Sequence, residues 1–251
     1  MTDGEKPNDP ADEKTVKADF HIHTPESKCY GDPHATYEQL VDAAIAAGLQ
    51  AMAVTDHNTT LGIDPMRKLA YDTELAIFPG IEISTKAGHV LAIFDRITPV
   101  AELDDLLDYV GASHLARGDG TIPVSDPMDE VFRKIDERGG IAIAAHIERW
   151  PTGFLHTKES RRIKQRIHSS PYLTALEITQ PQNRDLWNKG QMRGFPTRHA
   201  CIQGSDAHAL EEIGRRPVFL QLPSLNLQGL RTAFNDYEDR IRFPEDIQHD
   251  S

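Results

Sequence analysis

The chain has 251 residues, 39% hydrophobic and 26% charged, with a net charge of −12 at neutral pH. That length suits one barrel-sized domain, and no apolar run approaches the ~18 residues of a membrane span. The acidic total argues against a general nucleic-acid binder, and two cysteines, Cys29 and Cys201, argue against a disulfide framework and for a reducing cytoplasm.

Residues 1–17 are polar, charged and proline-bearing, unlike a signal peptide, and read as a disordered tail. The first strand is expected over 18–23. Within it His21 and His23 are two apart, so both imidazoles line one face, and a converging pair of neutral imidazoles suits a divalent transition metal. Thr36 caps a helix over 36–47, with Leu40, Ala43, Ala44 and Ala47 as its apolar stripe and Gly48 as its stop. The apolar run 51–54 leads into Thr55-Asp56-His57, and a helix follows over 64–73 with Pro65 in its first turn.

A run from Leu75 leads to Gly80-Ile81-Glu82, and Gly88-His89 opens the run 90–94. The few residues 85–88 between these strands are too short for a parallel crossover, so an antiparallel hairpin is expected. A helix opens at Asp126-Pro127 and ends at Gly139-Gly140, after which the run 141–145 leads to His146. Further strands are expected over 173–179 and 217–222, Gly204-Ser205-Asp206-Ala207-His208 follows the run 200–202, and a last helix covers 226–234. Strand–helix alternation on this scale predicts a mostly parallel sheet with helices outside it. Ligand-type residues gather at the strand ends, mostly the C-terminal ones, which form the active face of a parallel barrel.

The motifs His21-x-His23, Thr55-Asp56-His57-Asn58, Gly80-Ile81-Glu82-Ile83-Ser84, Gly88-His89-Val90-Leu91, His146 and Ser205-Asp206-Ala207-His208 together resemble the PHP (polymerase and histidinol phosphatase) domain family. They stand in the family's order from about residue 18 to about residue 216. The resemblance implies an α/β fold, a distorted seven-stranded β/α barrel that holds up to three metal ions and cleaves phosphate esters. It also implies one barrel domain over 18–244, followed by a short tail, 245–251.

Carried over residue by residue, the resemblance assigns His21, His23, Glu82 and Asp206 to a first metal. Glu82 bridges to a second, completed by His89 and His146, and His57 and His208 hold a third. The third ion usually takes one more His or Asp from the loop after the first strand. Cys29 stands near that place and Asp32 follows. Asp32 is the preferred ligand, because a lone cysteine is more often a small buried apolar residue. Mixed imidazole and carboxylate donors suit Zn, Mn or Fe, so two or three divalent transition metal ions are expected. Asp19 and Asp56 are expected to orient imidazoles through a free ring nitrogen. His34, His114, His156, His168, His199 and His249 match no motif and are expected at the surface. Trp150 and Trp187 read as barrel packing, with Trp150 also near enough to His146 to wall a pocket.

Residues 149–216 hold 12 Lys and Arg against 6 Asp and Glu, a local net charge of +6. Such a segment either presents cations to an anionic substrate or forms solvated helix faces, as in Arg161-Arg162-Ile163-Lys164-Gln165-Arg166. Arg215, Arg149 and Arg184 are the candidates for clamping a phosphate bidentately. The expected reaction is metal-assisted hydrolysis, in which a bridging hydroxide held beside Glu82 attacks phosphorus, since bound metal lowers the pKa of water from ~15.7 toward ~7. The expected substrate is a phosphate ester of a small metabolite or nucleotide, with phosphate or sulfate as a small-anion ligand and no membrane partner. The alternatives are a nuclease acting on DNA or RNA ends, a non-catalytic regulatory barrel, and an amidohydrolase-like enzyme. No lysine stands at a strand end, which counts against the last.

Overall fold

The computed structural model describes residues 13–247. In chain order its elements are β1 (Lys14–Ile22), α1 (Tyr37–Ala46), β2 (Ala51–Val54), α2 (Ile63–Ala70), β3 (Ala76–Thr85), β4 (Gly88–Ile93), α3 (Val100–Tyr109), α4 (Met128–Glu137), β5 (Ile141–Ala144), α5 (Arg161–His168), β6 (Ala175–Glu177), α6 (Arg184–Asn188), β7 (Ala200–Ile202), β8 (Val218–Leu222), α7 (Leu227–Asn235), α8 (Tyr237–Arg240), β9 (Ile241–Arg242) and α9 (Pro244–Ile247).

Strands β1 to β7 lie side by side in chain order, and β8 and β9 continue the sheet beyond β1. The pairs β1–β2, β2–β3, β5–β6 and β6–β7 are parallel, whereas β4 is antiparallel to both neighbours. The short 85–88 connection makes the expected hairpin, with Ser84 opposite His89 and Thr85 opposite Gly88. Because β4 runs backwards, its first residues lie at the same end of the sheet as the C-terminal ends of the parallel strands. His89 thereby joins residues that follow the other strands.

The free edge of β1 is shared. Lys14 to Ala18 pair with β8, whereas Ile22 bridges Ala207, just beyond β7. His23 N–H donates to the Ala207 carbonyl at 3.0 Å and Ala207 N–H donates to that of His21 at 3.3 Å. Those bonds bring β7 round to β1 and nearly close a distorted seven-stranded barrel, with β8 and β9 as an added antiparallel flank.

Local chemistry explains the elements. Thr36 accepts from Gln39 N–H while the Gln39 side chain returns to Thr36 N–H, a capping box, and Gly48 ends the helix at φ +70°. Asn226 caps α7 by accepting from Gly229 N–H at 2.9 Å. Strands β2 and β5 are buried at every position, as parallel strands covered on both faces must be. Phe20 and Phe78 meet edge to face in the core, centroids 5.9 Å apart, and full burial of each such ring contributes roughly 1.5–3 kcal/mol.

Two boundaries differ from expectation. Strand β1 begins at Lys14, inside the expected tail 1–17, because Val16 is buried and antiparallel β8 gives its backbone a partner. At the other end α9 runs from Pro244 into the expected tail 245–251, anchored by Asp246, which ion-pairs with Arg184. Residues 1–12 and 248–251, with the rest of both expected tails and His249, lie outside the described residues.

Candidate metal centre

One end of the sheet collects polar side chains from six strands along it. His21 and His23 come from the end of β1, His57 follows β2, Glu82 lies in β3, His89 in β4, His146 follows β5, and Asp206 and His208 follow β7. Strand alternation turns Asp19, His21 and His23 to the face opposite Phe20 and Ile22. Three of the strand-end residues have left-handed backbones: Asn58 at φ 48°, His146 at 29° and Asp206 at 50°. Non-glycine residues held there are strained, and such strain concentrates at functional sites.

Glu82 is fully buried at the centre. Its Oε2 is 3.1 Å from Nε2 of His21 and of His23 and 3.0 Å from His57 Nδ1, while Oε1 is 2.8 Å from His89 Nδ1 and 2.9 Å from His146 Nε2. Five ring nitrogens exceed the roughly four lone-pair sites of one carboxylate. Moreover, Glu82 Oε2 accepts no aligned hydrogen bond, and buried His57 Nδ1 has no hydrogen-bond partner. Glu82 Oε1 meets His89 and His146 in hydrogen-bond geometry, but the close approach of three rings to Oε2 without donor–acceptor alignment is the arrangement of ligands around a shared cation. Asp206 Oδ1 adds distances of 3.2 Å to His21 Nε2 and 3.0 Å to His23 Nε2.

The electrostatics agree. Burial alone depresses an imidazole and raises a carboxyl. Here burial of His21 is outweighed by Glu177, Asp206 and Glu82, which together hold it well above its ordinary value. Burial of His23 is likewise overcome by Asp206 and Glu82, which lift it to about 9. Glu82 and Asp206 stay well below the usual carboxylate range despite burial, because imidazoles surround them. His57, by contrast, is driven down to about 3 by burial. Three buried carboxylates in one cluster demand positive charge, which protons supply in part and dications supply fully. Ligand atoms fall into three groups, each within 4.8 Å: His21, His23, Glu82 and Asp206; His57, Glu82 and His89; and His23, His57 and His208. The donor set fits divalent metal.

Residues 19–162 match the PHP domain family, 144 of the chain's 251 residues. The chain belongs to the PHP domain family. An uncharacterized protein of Methanocaldococcus jannaschii is 28% identical over 138 residues, 52% of this chain and 67% of that protein. The fold is similar to that of a lesion-specific endonuclease from Pyrococcus furiosus, with a TM-score of 0.69 at 17% identity over 92% of this chain and 58% of the other. It is also similar to a two-domain protein from Bacteroides vulgatus containing a predicted PHP-like metal-dependent phosphoesterase, with a TM-score of 0.64 at 18% identity over 92% of this chain and 65% of the other. The chain thus spans less than two thirds of either solved protein.

Around the central ligands, this PHP site is held by carboxylates. Glu177, at the end of β6, reaches His21 Nδ1 at 2.9 Å and accepts His146 N–H at 2.7 Å. A β-carbon at Gly204 would collide with Glu177 Oε1 and His21 Cβ, so glycine is required beside it. The sequence reading missed Glu177, although a lone carboxylate in the apolar run 173–179 was the available signal. Asp56 acts one step removed: it accepts from Ser27 Oγ, which lies 2.9 Å from His23 Nδ1. Asp19 orients no imidazole, contrary to expectation. Its oxygens accept backbone N–H groups of His21, Ser205 and Gly214 and so tie β1 to the loop after β7. Asn58 completes its motif by donating to the Asp119 carbonyl at 3.0 Å and accepting Ser84 N–H at 3.0 Å, which fixes the loop over the cavity.

The third group corrects another expectation. Asp32 is exposed and accepts His34 N–H at 2.9 Å in a local turn. Cys29 instead lines the cavity, its Sγ 3.1 Å from His208 Nε2. Of the three arginines, Arg149 lines the cavity and ion-pairs with Asp206. Arg184 is committed elsewhere, against Asp246 and over the Phe243 ring. Arg215 donates to Glu212 and to the Ser205 carbonyl and is absent from the cavity lining. The cavity holds about 630 Å³ and is lined by Cys29, His57, His89, Asp119, Thr121, His146, Arg149, Thr152, Asp206 and His208 among others.

Three further placements differ. His168 and His199 are buried, with His199 Nε2 2.7 Å from the His168 carbonyl. Trp187 is packed as expected and donates to Glu148 at 3.0 Å, but Trp150 is 77% exposed.

Proposed function

We propose that this PHP chain is a metal-dependent phosphoric ester hydrolase and that His21, His23, Glu82, His89, His146, Asp206, His57, His208 and Cys29 hold its ions. The convergence of five imidazole nitrogens on Glu82 carries this reading. Zn, Mn and Fe all suit such donors. When bound, divalent ions supply an activated water at neutral pH and neutralise charge on phosphoryl oxygens.

The chain's own residues do the rest. Glu177 fixes the His21 ring so that Nε2 faces inward, and the Ser27 hydroxyl does the same for His23. Among the described residues Arg149 is the one arginine in the cavity lining, and burial of its guanidinium is offset by Asp206, which keeps it charged. In a phosphate complex that guanidinium turns from Asp206 to the non-bridging oxygens. The loop containing Asp119, Gly120 and Thr121 lines the His57 side of the cavity, with Gly120 packed so closely on the His57 ring that a β-carbon there would lie 2.6 Å from Nε2. A cavity of about 630 Å³ accepts a group the size of a nucleotide, so the reacting ester belongs to a small metabolite, a nucleotide or the last residue of a strand. Both cysteines are free thiols, which suits a reducing cytoplasm.

Hydrolysis of bis(p-nitrophenyl) phosphate and p-nitrophenyl phosphate, before and after chelation, tests this. Activity lost on chelation and restored by Mn, Zn or Fe, and absent from the His21→Ala/His23→Ala variant, is the expected result. Unchanged turnover after metal removal contradicts it.

A further inference from the structure

Cations are outnumbered in this chain, 27 Lys and Arg against 39 Asp and Glu, and one sector gathers four exposed cations beside the cavity. Lys158, Arg161, Arg162 and Arg193 are all exposed, and none has an ion-pair partner among the described residues. They share a surface. Arg161 and Arg162 open α5, and the turn bearing Arg193 lies against it. There Gln165 donates to the Gly194 carbonyl at 2.8 Å, and a β-carbon at Gly194 would lie 2.8 Å from Arg161 Nη2.

This surface is continuous with the cavity. The segment 149–157 starts at Arg149 and Thr152 in the cavity wall. It then packs Phe154 on Phe195, centroids 6.0 Å apart, and is tied to α5 by Lys164 Nζ, which donates to the Leu155 and Thr157 carbonyls at 2.8 Å. On the same segment Trp150 is 77% exposed, with the His156 ring beside it at 5.0 Å. A large exposed aromatic face therefore lies on the segment that leads from the cavity wall toward four exposed cations without ion pairs, on a protein that is acidic elsewhere.

We propose that this sector binds single-stranded nucleic acid whose terminal phosphodiester enters the metal cavity. Trp150 stacks on a base, while Lys158, Arg161, Arg162 and Arg193 meet successive phosphates. An indole face is sequence-tolerant and needs unstacked bases, which a single strand offers and a duplex hides. The acidic remainder of the chain repels polyanions, so it confines the strand to this track. The inference rests on the phosphoesterase reading of the cavity.

The chain supplies its own probe. Trp150 and Trp187 are its two tryptophans, and Trp187 is fully buried, so a ligand-induced fluorescence change reports Trp150. The metal-loaded full chain is titrated with hydrolysis-resistant phosphorothioate oligothymidylate across salt concentrations. Expected are quenching and a log K against log[salt] slope of about −3, from roughly −0.7 per phosphate over four contacts. Arg161→Glu/Arg162→Glu should weaken binding at least tenfold and flatten that slope. Arg193→Glu, on a different segment, repeats the readout should the double variant fail to fold. Trp150→Ala, followed by anisotropy of a labelled oligonucleotide, should also weaken binding about tenfold.

Binding that is salt-independent, or indifferent to all three variants, overturns the proposal. So does equal affinity for phosphatidylserine vesicles or polyglutamate. Because the probe resists hydrolysis, oligonucleotide binding without turnover of bis(p-nitrophenyl) phosphate sinks the hydrolase reading alone. Turnover without oligonucleotide binding sinks this surface alone.

Discussion

His21 Nδ1 lies 2.9 Å from Glu177 Oε2, while Nε2 of the same ring lies 3.1 Å from Glu82 Oε2. One carboxylate thus sets the ring that a second shares with the cluster. Glu177→Gln keeps the shape but weakens that grip, and a group in this position commonly contributes 10–100-fold to metal affinity. Competition titration with a chromogenic chelator should show a loss of that order. Unaltered affinity would mean that the His21 ring is positioned by packing alone.

Cys29 and Asp32 make opposite predictions. Cys29→Ser should lower the metal content of the third group by up to one ion per chain and abolish any thiolate-to-cobalt charge-transfer band in the Co-substituted protein. Asp32→Ala should leave both unchanged, because its side chain serves a surface turn. A cobalt spectrum without a sulfur band contradicts the assignment of Cys29.

The arginines separate in the same way. Arg149→Ala should lower kcat/KM about a hundredfold, the scale of losing one oriented donor to developing phosphoryl charge. Arg184→Ala breaks the pairing with Asp246 that anchors α9. It should reduce stability by about 1 kcal/mol and leave kcat/KM alone, as read by urea unfolding beside steady-state kinetics.

His168 carries a pH prediction remote from the metal centre. Its ring packs against Trp187 at 5.5 Å, Phe195 at 5.0 Å and His199 at 4.6 Å, and its Nε2 has no hydrogen-bond partner. Burial pushes it down from 6.5 to about 3. In the window between those values the unfolded chain binds the proton that the folded chain excludes, so stability falls as pH falls. Its contribution is complete above pH 6.5 and is lost toward pH 3, at about 1.4 kcal/mol per pH unit within the window. Urea unfolding of His168→Phe should show a shallower loss between pH 6 and 4 than the native chain. Equal slopes would contradict the assignment.

Much of this is legible in the sequence alone. Strand period put His21 and His23 on one face, and the four-residue connection after Ser84 forced the hairpin that brings His89 to its neighbours. What escaped was set by tertiary contact. Lys14 and Lys17 look like tail, yet β8 pairs with them because the free edge of β1 needs a partner. Glu177 shows no motif and acquires its role only when β6 lies next to β5 and the carboxylate meets His21 and His146. Cys29 and Asp32 are three residues apart in a loop, and spacing does not say which turns inward. Arg184 falls in a basic segment, but that segment wraps from the cavity mouth to α9, so net charge did not locate it. His168 and His199 are buried by an aromatic cluster whose members are remote in sequence.

Glu82 is the hub of the proposed ion cluster, and elemental analysis of the purified chain tests that most directly. Glu82 belongs to two of the three ligand groups. The native chain should carry two or three divalent ions, and Glu82→Ala should keep at most one, in the His23, His57 and His208 group. A native chain with less than one ion, or a Glu82→Ala chain with the native content, would contradict it.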